Sequence, residues 1–116
     1  MNYLLLIYSN EAEFMALGED KLKKMSDEYM EFTKSIVQTG NFKAGDRLKP
    51  VSTASTVRVR NGKTAITDGP FAETREQLGG YYLIEAKNLD EATTIASRIP
   101  GARLGSIEVR PIWPLS

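Results

Sequence analysis

The chain has 116 residues, 41% of them hydrophobic and 26% charged, with 15 basic against 15 acidic side chains. That length suits one domain, residues 1–116, whose modest core a partner subunit would help to complete. Zero net charge argues against a nucleic-acid partner, the absence of cysteine excludes disulfides and thiolate chemistry, and the absence of histidine removes the usual general base near neutral pH.

"YLLLIYS", Tyr3 to Ser9, reads as a strand that is apolar at nearly every position. No apolar run reaches the roughly 20 residues of a membrane span. The first residues also lack a basic n-region and a small-residue cleavage site. A cytoplasmic protein with no membrane partner is expected. "NEAEFMALGED" reads as an irregular loop. Leu22, Met25, Tyr29, Phe32 and Ile36 then recur at steps of three and four, which predicts an amphipathic helix. Asp20 is its expected N-cap and Gly40 its expected stop.

"NFKAGDRL" reads as a short strand and "KPVSTAS" as a linker. In "TVRVRNGKTAIT", two β-prone runs flank Asn61-Gly62, the preferred pair for a two-residue type I′ hairpin turn. The segment Asp68 to Gly80 follows, and "GYYLIEA" after it is a strand rich in aromatic and branched residues. "NLDEATTIASRIP" predicts a second amphipathic helix. Its Asn88 and Glu91 resemble a capping box, and Pro100-Gly101 ends it. "GSIEVRPIW" is the last strand.

With the hairpin set aside, the order is βαββαβ. The expected fold class is α+β, a ferredoxin-like domain carrying an inserted hairpin. Helices cover one face of such a sheet. The first strand is nevertheless apolar on both sides, with Leu5 and Ile7 one way and Leu4 and Leu6 the other. A second copy of the sheet is the simplest cover, which predicts a homodimer.

The segment "TDGPFAETREQLGGYYLIE" carries the chemistry. Asp-Gly-Pro is ordinary turn chemistry: Asp68 accepts backbone hydrogen bonds, Gly69 permits unusual φ and Pro70 fixes its own. Phe71 could plug the end of the core. Ala72 to Gln77 could form one helical turn, and Gly79-Gly80 would relieve crowding before the strand. Thirteen residues is nevertheless long for a hairpin connection, and long loops are often functional. If the turn is helical, Glu73 and Glu76 share a face. With Arg75 and Asp68 they could bind a polar ligand or act as acid and base, or form a solvated surface with internal ion pairs.

These residues resemble the defining motif of the DGPF branch of the YCII-related family. "YLLLIYS", "TVRVRNGK", "NLDEA" and "GSIEVRPIW" sit where that family has comparable segments. The resemblance implies a ferredoxin-like fold paired as a dimeric α/β barrel. It also implies a proposed His-Asp pair in a cleft of the broader family. That pair does not carry over: Tyr29 stands where relatives have the histidine, and Ile99, before Pro100, stands where they have the aspartate. Asp68, Gly69, Pro70, Phe71, Glu73, Arg75 (commonly Lys in relatives) and Glu76 do carry over.

The expected site therefore places Glu73 or Glu76 as acid or base. Asp68, Phe71 and Arg75 stand around a cleft, with Tyr29 and Tyr82 as walls. The more ordinary reading of Tyr29 is a core tyrosine with one hydrogen bond. Tyr81 and Tyr82 point to opposite faces, so only one can line a given cavity. Glu108 and Arg110 share a face and must pair if a subunit covers them. Arg47 could bind an anion or lie solvated at an edge. A metal could be held only by carboxylates and carbonyls, and none is expected. No cofactor is expected either, since no phosphate-binding glycine pattern is present. The leading expectation is a small-polar-ligand protein, possible as an enzyme of unassigned reaction. The alternative is a non-catalytic dimeric regulatory or structural module whose motif serves fold and interface.

Overall fold

The computed structural model describes residues 1–115. Six strands and three helices follow in the order β1 (Asn2–Ser9), α1 (Glu11–Met15), α2 (Glu19–Gln38), β2 (Phe42–Arg47), β3 (Ser55–Arg60), β4 (Lys63–Asp68), β5 (Gln77–Glu85), α3 (Leu89–Ser97) and β6 (Ser106–Pro111). Single 3₁₀ turns lie at Val51–Thr53 and Pro100–Arg103. The main sheet runs β2-β5-β1-β6, antiparallel throughout, and β3-β4 form a separate ribbon. This is the ferredoxin-like order, with the two most apolar strands, β1 and β5, at its centre.

Alternation sets which side chains meet the helices. Tyr3 and Leu5 of β1 and Tyr82 and Ile84 of β5 are buried, and with Phe32 and Ile36 of α2 and Ala92, Ile95 and Ala96 of α3 they form the core. The Tyr82 ring meets Phe32 edge-on, with centroids 5.3 Å apart. The opposite sheet face carries Leu4, Leu6 and Leu83, each half-buried with no helix over it. The molecule is a thin plate, 47 × 46 × 18 Å.

Local chemistry explains most element ends. Gly40, at φ +78°, closes α2 in a Schellman arrangement: Asn41 N–H donates to Ile36 O and Gly40 N–H to Val37 O. The N-cap is Gly18, at φ +90°, rather than Asp20. Asp20 and Glu19 instead sit in the first turn, where carboxylates favour the helix dipole. Asn88 caps α3 by accepting from Glu91 N–H at 2.9 Å, but the box is half made, because the Glu91 carboxylate takes the Asn41 side-chain amide instead. The segment read as a loop after β1 contains α1, capped in the same way by Asn10 accepting from Glu13 N–H. Asn61 (φ +54°) and Gly62 (φ +76°) make the type I′ turn of the hairpin.

Two expectations about the motif segment change. First, β5 begins at Gln77, so Gly79 and Gly80 lie inside the strand rather than before it. A bulge opposite Ile7 and Tyr8 falls at Gly79, whose carbonyl accepts from Leu48 N–H. A Cβ on Gly80 would stand 2.9 Å from the Asp46 carbonyl oxygen, so only glycine lets β2 pair this closely. Second, Ala72 to Glu76 is a bend, not a helical turn. Thr74 Oγ1 bonds the Glu76 carbonyl and the Gln77 side-chain amide bonds the Thr74 carbonyl, local bonds that compete with a helix.

Candidate functional site

Two cavities flank the sheet. The first, of about 480 Å³, lies on the helix side between α1, α2 and the β2-β5 edge. Its apolar wall includes Phe14, Met15, Leu22 and Met25, and its sheet floor is lowered by Gly45 and Gly80. Gly45 lacks a Cβ for a second reason: one would stand 2.7 Å from Cδ1 of Tyr82, so glycine lets that ring lie flat over β2. Tyr29 and Tyr82, the two expected walls, both line this cavity.

Each tyrosine is held at its hydroxyl. Tyr29 Oη accepts from Gly101 N–H at 3.1 Å. Tyr82 Oη lies 2.6 Å from Thr33 Oγ1. Burial pushes both phenols above their ordinary value near 10, against the opposing pull of the Gly101 N–H and the Thr33 hydroxyl. Both are therefore neutral hydrogen-bonding groups at pH 7. Tyr81 points to the other face, as alternation requires, and donates to Asp46 Oδ2 at 2.8 Å. That carboxylate bond also raises the Tyr81 phenol.

The second cavity, about 640 Å³, opens between the root of the hairpin and the ends of β1 and β5. Phe71 and Glu73 border it, with Tyr8, Val57 and Leu78 opposite. Phe71 is largely exposed and does not plug the core. Asp68, Arg75 and Glu76 line neither cavity. Glu76 accepts from Ser106 Oγ at 2.8 Å. No side-chain hydrogen bond of Asp68 is present among the described residues. Its turn is held instead by Gly69 N–H to Ala54 O and by Thr56 Oγ1 to Gly69 O. The expected single cleft is thus divided, with the tyrosines in one cavity and the Phe71-Glu73 pair at the other. Among the described residues, no cluster of carboxylates could hold a metal ion.

The motif segment and the helix-side cavity are nevertheless joined, through α1. The Asn10 side-chain amide donates to Arg75 O at 3.0 Å, and Gln77 Oε1 accepts from Glu11 N–H at 2.9 Å. Glu11 Oε2 in turn accepts from Val51 N–H at 3.0 Å. These bonds fasten α1, and with it Phe14 and Met15, against the sheet edge. Sequence reasoning missed these cavity-wall residues by reading α1 as a loop. The signal was present: Asn10 with Glu13 repeats the Asn-x-x-Glu spacing that marked the second predicted helix at Asn88 and Glu91.

A family model for the YCII-related domain matches residues 1–116. The chain belongs to the YCII-related family. A relative from Rhizobium meliloti, itself an uncharacterised protein, is 37% identical over 114 residues, covering 97% of this chain and 92% of the relative. Among solved structures, a 5-chloro-2-hydroxyhydroquinone dehydrochlorinase from Burkholderia phenoliruptrix, in complex with 2,5-dihydroxybenzoquinone, superposes with a TM-score of 0.57. The match covers 100% of this chain and 96% of that one at 12% identity, a likeness of fold alone.

Tyr29 bonds the backbone of Gly101, two residues beyond the buried Ile99. A Cβ on Gly101 would meet Tyr29 Oη at 2.6 Å. No helix of the described residues is long and apolar enough to cross a membrane.

Proposed function

We propose that this YCII-related protein is a cytoplasmic homodimer that binds a small polar organic molecule in its helix-side cavity. The observation that carries this is the cavity itself. It has the size of a small-molecule site, mostly apolar walls and a few convergent hydroxyls from Tyr29, Tyr82 and Thr33. A same-fold dehydrochlorinase with a small cyclic compound bound supports the plausibility of such a ligand.

Pairing through the open sheet face is supported by how that face is finished. Leu4, Leu6 and Leu83 present an apolar surface. Its charged groups are already satisfied within the chain: Arg110 Nε donates to Glu108 Oε2 at 2.9 Å, and Tyr81 to Asp46. Charges paired beforehand cost less to cover than unpaired ones.

A second reading is favoured by the bonds from Asn10 to Arg75 O and from Glu11 N–H to Gln77. They support the motif segment as a brace for the cavity wall. Any acid-base role then falls to Glu73 at the second cavity, with Glu76 engaged by Ser106.

A fragment set screened by NMR tests the cavity. Bound fragments are expected to shift Tyr29 and Tyr82 resonances in the wild type but not in Leu22→Trp, which fills the space. Shifts confined to Phe71–Thr74 would transfer the site to the second cavity. Sedimentation tests the dimer: wild type is expected to be dimeric, and Leu6→Lys monomeric and folded.

A further inference from the structure

We propose that the helix-side cavity takes a small organic acid, one carboxylate on an apolar one-ring body, with Arg47 as its anchor. This rests on the reading of that cavity as the binding site.

Arg47 lies at the end of β2, opposite Gly80, and shares the helix-facing side with Gly45 and Tyr82. It lines the cavity and is exposed, so it stands at the open side. Its guanidinium sits 5.9 Å above the Phe14 ring centroid, which holds a flexible side chain in place without using its donors. No carboxylate lies within ion-pair distance of it among the described residues, and its side chain makes no hydrogen bond there. Three other arginines are engaged: Arg103 pairs with Glu28, Arg110 with Glu108, and Arg98 bonds Ser35. Five N–H donors in a planar fork are thus left facing a cavity, the geometry that takes a carboxylate with two parallel bonds.

The two acidic residues in the lining do not compete for it. Asp46 turns its carboxylate to the opposite sheet face, where it accepts from Tyr81. Glu11 has one oxygen committed to Val51 N–H. The remaining polar groups, Ser9, Ser26, Tyr29, Thr33 and Tyr82, with Tyr81 engaged by Asp46, are hydroxyls that can donate to a ligand oxygen. Beyond them the walls are Phe14, Met15, Leu22 and Met25. One fixed cation beside an apolar chamber favours a monoanion with an apolar body over a polyphosphate, which needs several cations.

Benzoate and its neutral isostere benzamide separate the charge from the shape. Titrated by NMR, benzoate is expected to shift the Phe14, Gly45 and Tyr82 amides and to bind about tenfold more tightly than benzamide, the ratio of one charge-assisted pair. The preference should weaken with added salt. Arg47→Gln, which keeps the planar head without the charge, should abolish it, and Arg47→Lys should retain part of it. Equal binding of both probes, unchanged by Arg47→Gln, would overturn the acid assignment and leave the cavity reading standing. Shifts from neither probe, and none from the neutral fragments, would overturn both.

Discussion

Gly101 and Tyr29 form a contact whose energetics can be worked out atom by atom. Gly101 is buried in the 3₁₀ turn after α3, and its φ is not in the left-handed region, so Gly101→Ala adds no backbone strain. The new Cβ would stand 2.6 Å from Tyr29 Oη and 3.3 Å from Ile7 Cγ2, where ordinary contact begins at 3.4 Å. Overpacking of this kind costs about 1–3 kcal/mol. Displacing the phenol also loses the Gly101 N–H bond, about 1 kcal/mol. Restricting the unfolded chain returns about 0.4–1 kcal/mol, leaving a net loss of about 2 kcal/mol. Tyr29→Phe alone leaves the buried Gly101 N–H unpaired, at about 1–3 kcal/mol.

In the double variant the clashing oxygen is absent, and the nearest ring atom, Tyr29 Cζ, is 3.8 Å from the Cβ position. The two losses should therefore fall short of adding, by about 2–3 kcal/mol, since the overpacking is relieved and the N–H bond is lost only once. Urea denaturation followed by circular dichroism, at one fixed protein concentration, measures this cycle. In a thermal scan each kcal/mol corresponds to about 4 °C. Strict additivity would refute the reasoning. So would a neutral Gly101→Ala, which would mean the Tyr29 ring swings into the cavity without cost.

Gln77→Ala removes the acceptor for Glu11 N–H and the donor to Thr74 O. It should cost about 1 kcal/mol and speed amide exchange across Glu11–Met15 while leaving α2 protected; unchanged exchange in α1 would sink the brace. Alkaline pH tests the buried phenols. Tyr29 and Tyr82 titrate above the ordinary value near 10, mainly through burial, so the folded state favours their neutral form. The stability they contribute is complete below about pH 10 and is lost as pH rises through their folded values. Absorbance titration near 295 nm should show Tyr29, Tyr82 and the Asp46-bonded Tyr81 ionising above the ordinary value near 10. Tyr29→Phe and Tyr82→Phe should each remove one late step, and uniform titration at ordinary pH would contradict the burial.

Local pattern alone was enough for the order of the six strands and of α2 and α3, for the hairpin turn and for the core stripe of α2, because each rests on neighbours in the chain. Leu22, Met25, Tyr29, Phe32 and Ile36 share a face at the α-helical pitch, and Asn61-Gly62 between two β-prone runs favours a type I′ turn. The opposed directions of Tyr81 and Tyr82 followed from the pleat. The motif was legible as a family mark, but its geometry was not. Whether Ala72–Glu76 coils was decided by Thr74 and Gln77 bonding nearby carbonyls. Where β5 begins was decided by its pairing with β1, which places Ser9 opposite Gln77. Above all, spacing could not say which charged residues meet. Glu73 and Glu76 are three apart in sequence, yet one borders a cavity and the other bonds Ser106, 30 residues on. Arg47 and Phe14 come together across the α2 helix only because the chain folds back along β2. Hydrophobic periodicity is written in neighbours along the chain, whereas a binding site is assembled from distant residues, and only packing brings those into register.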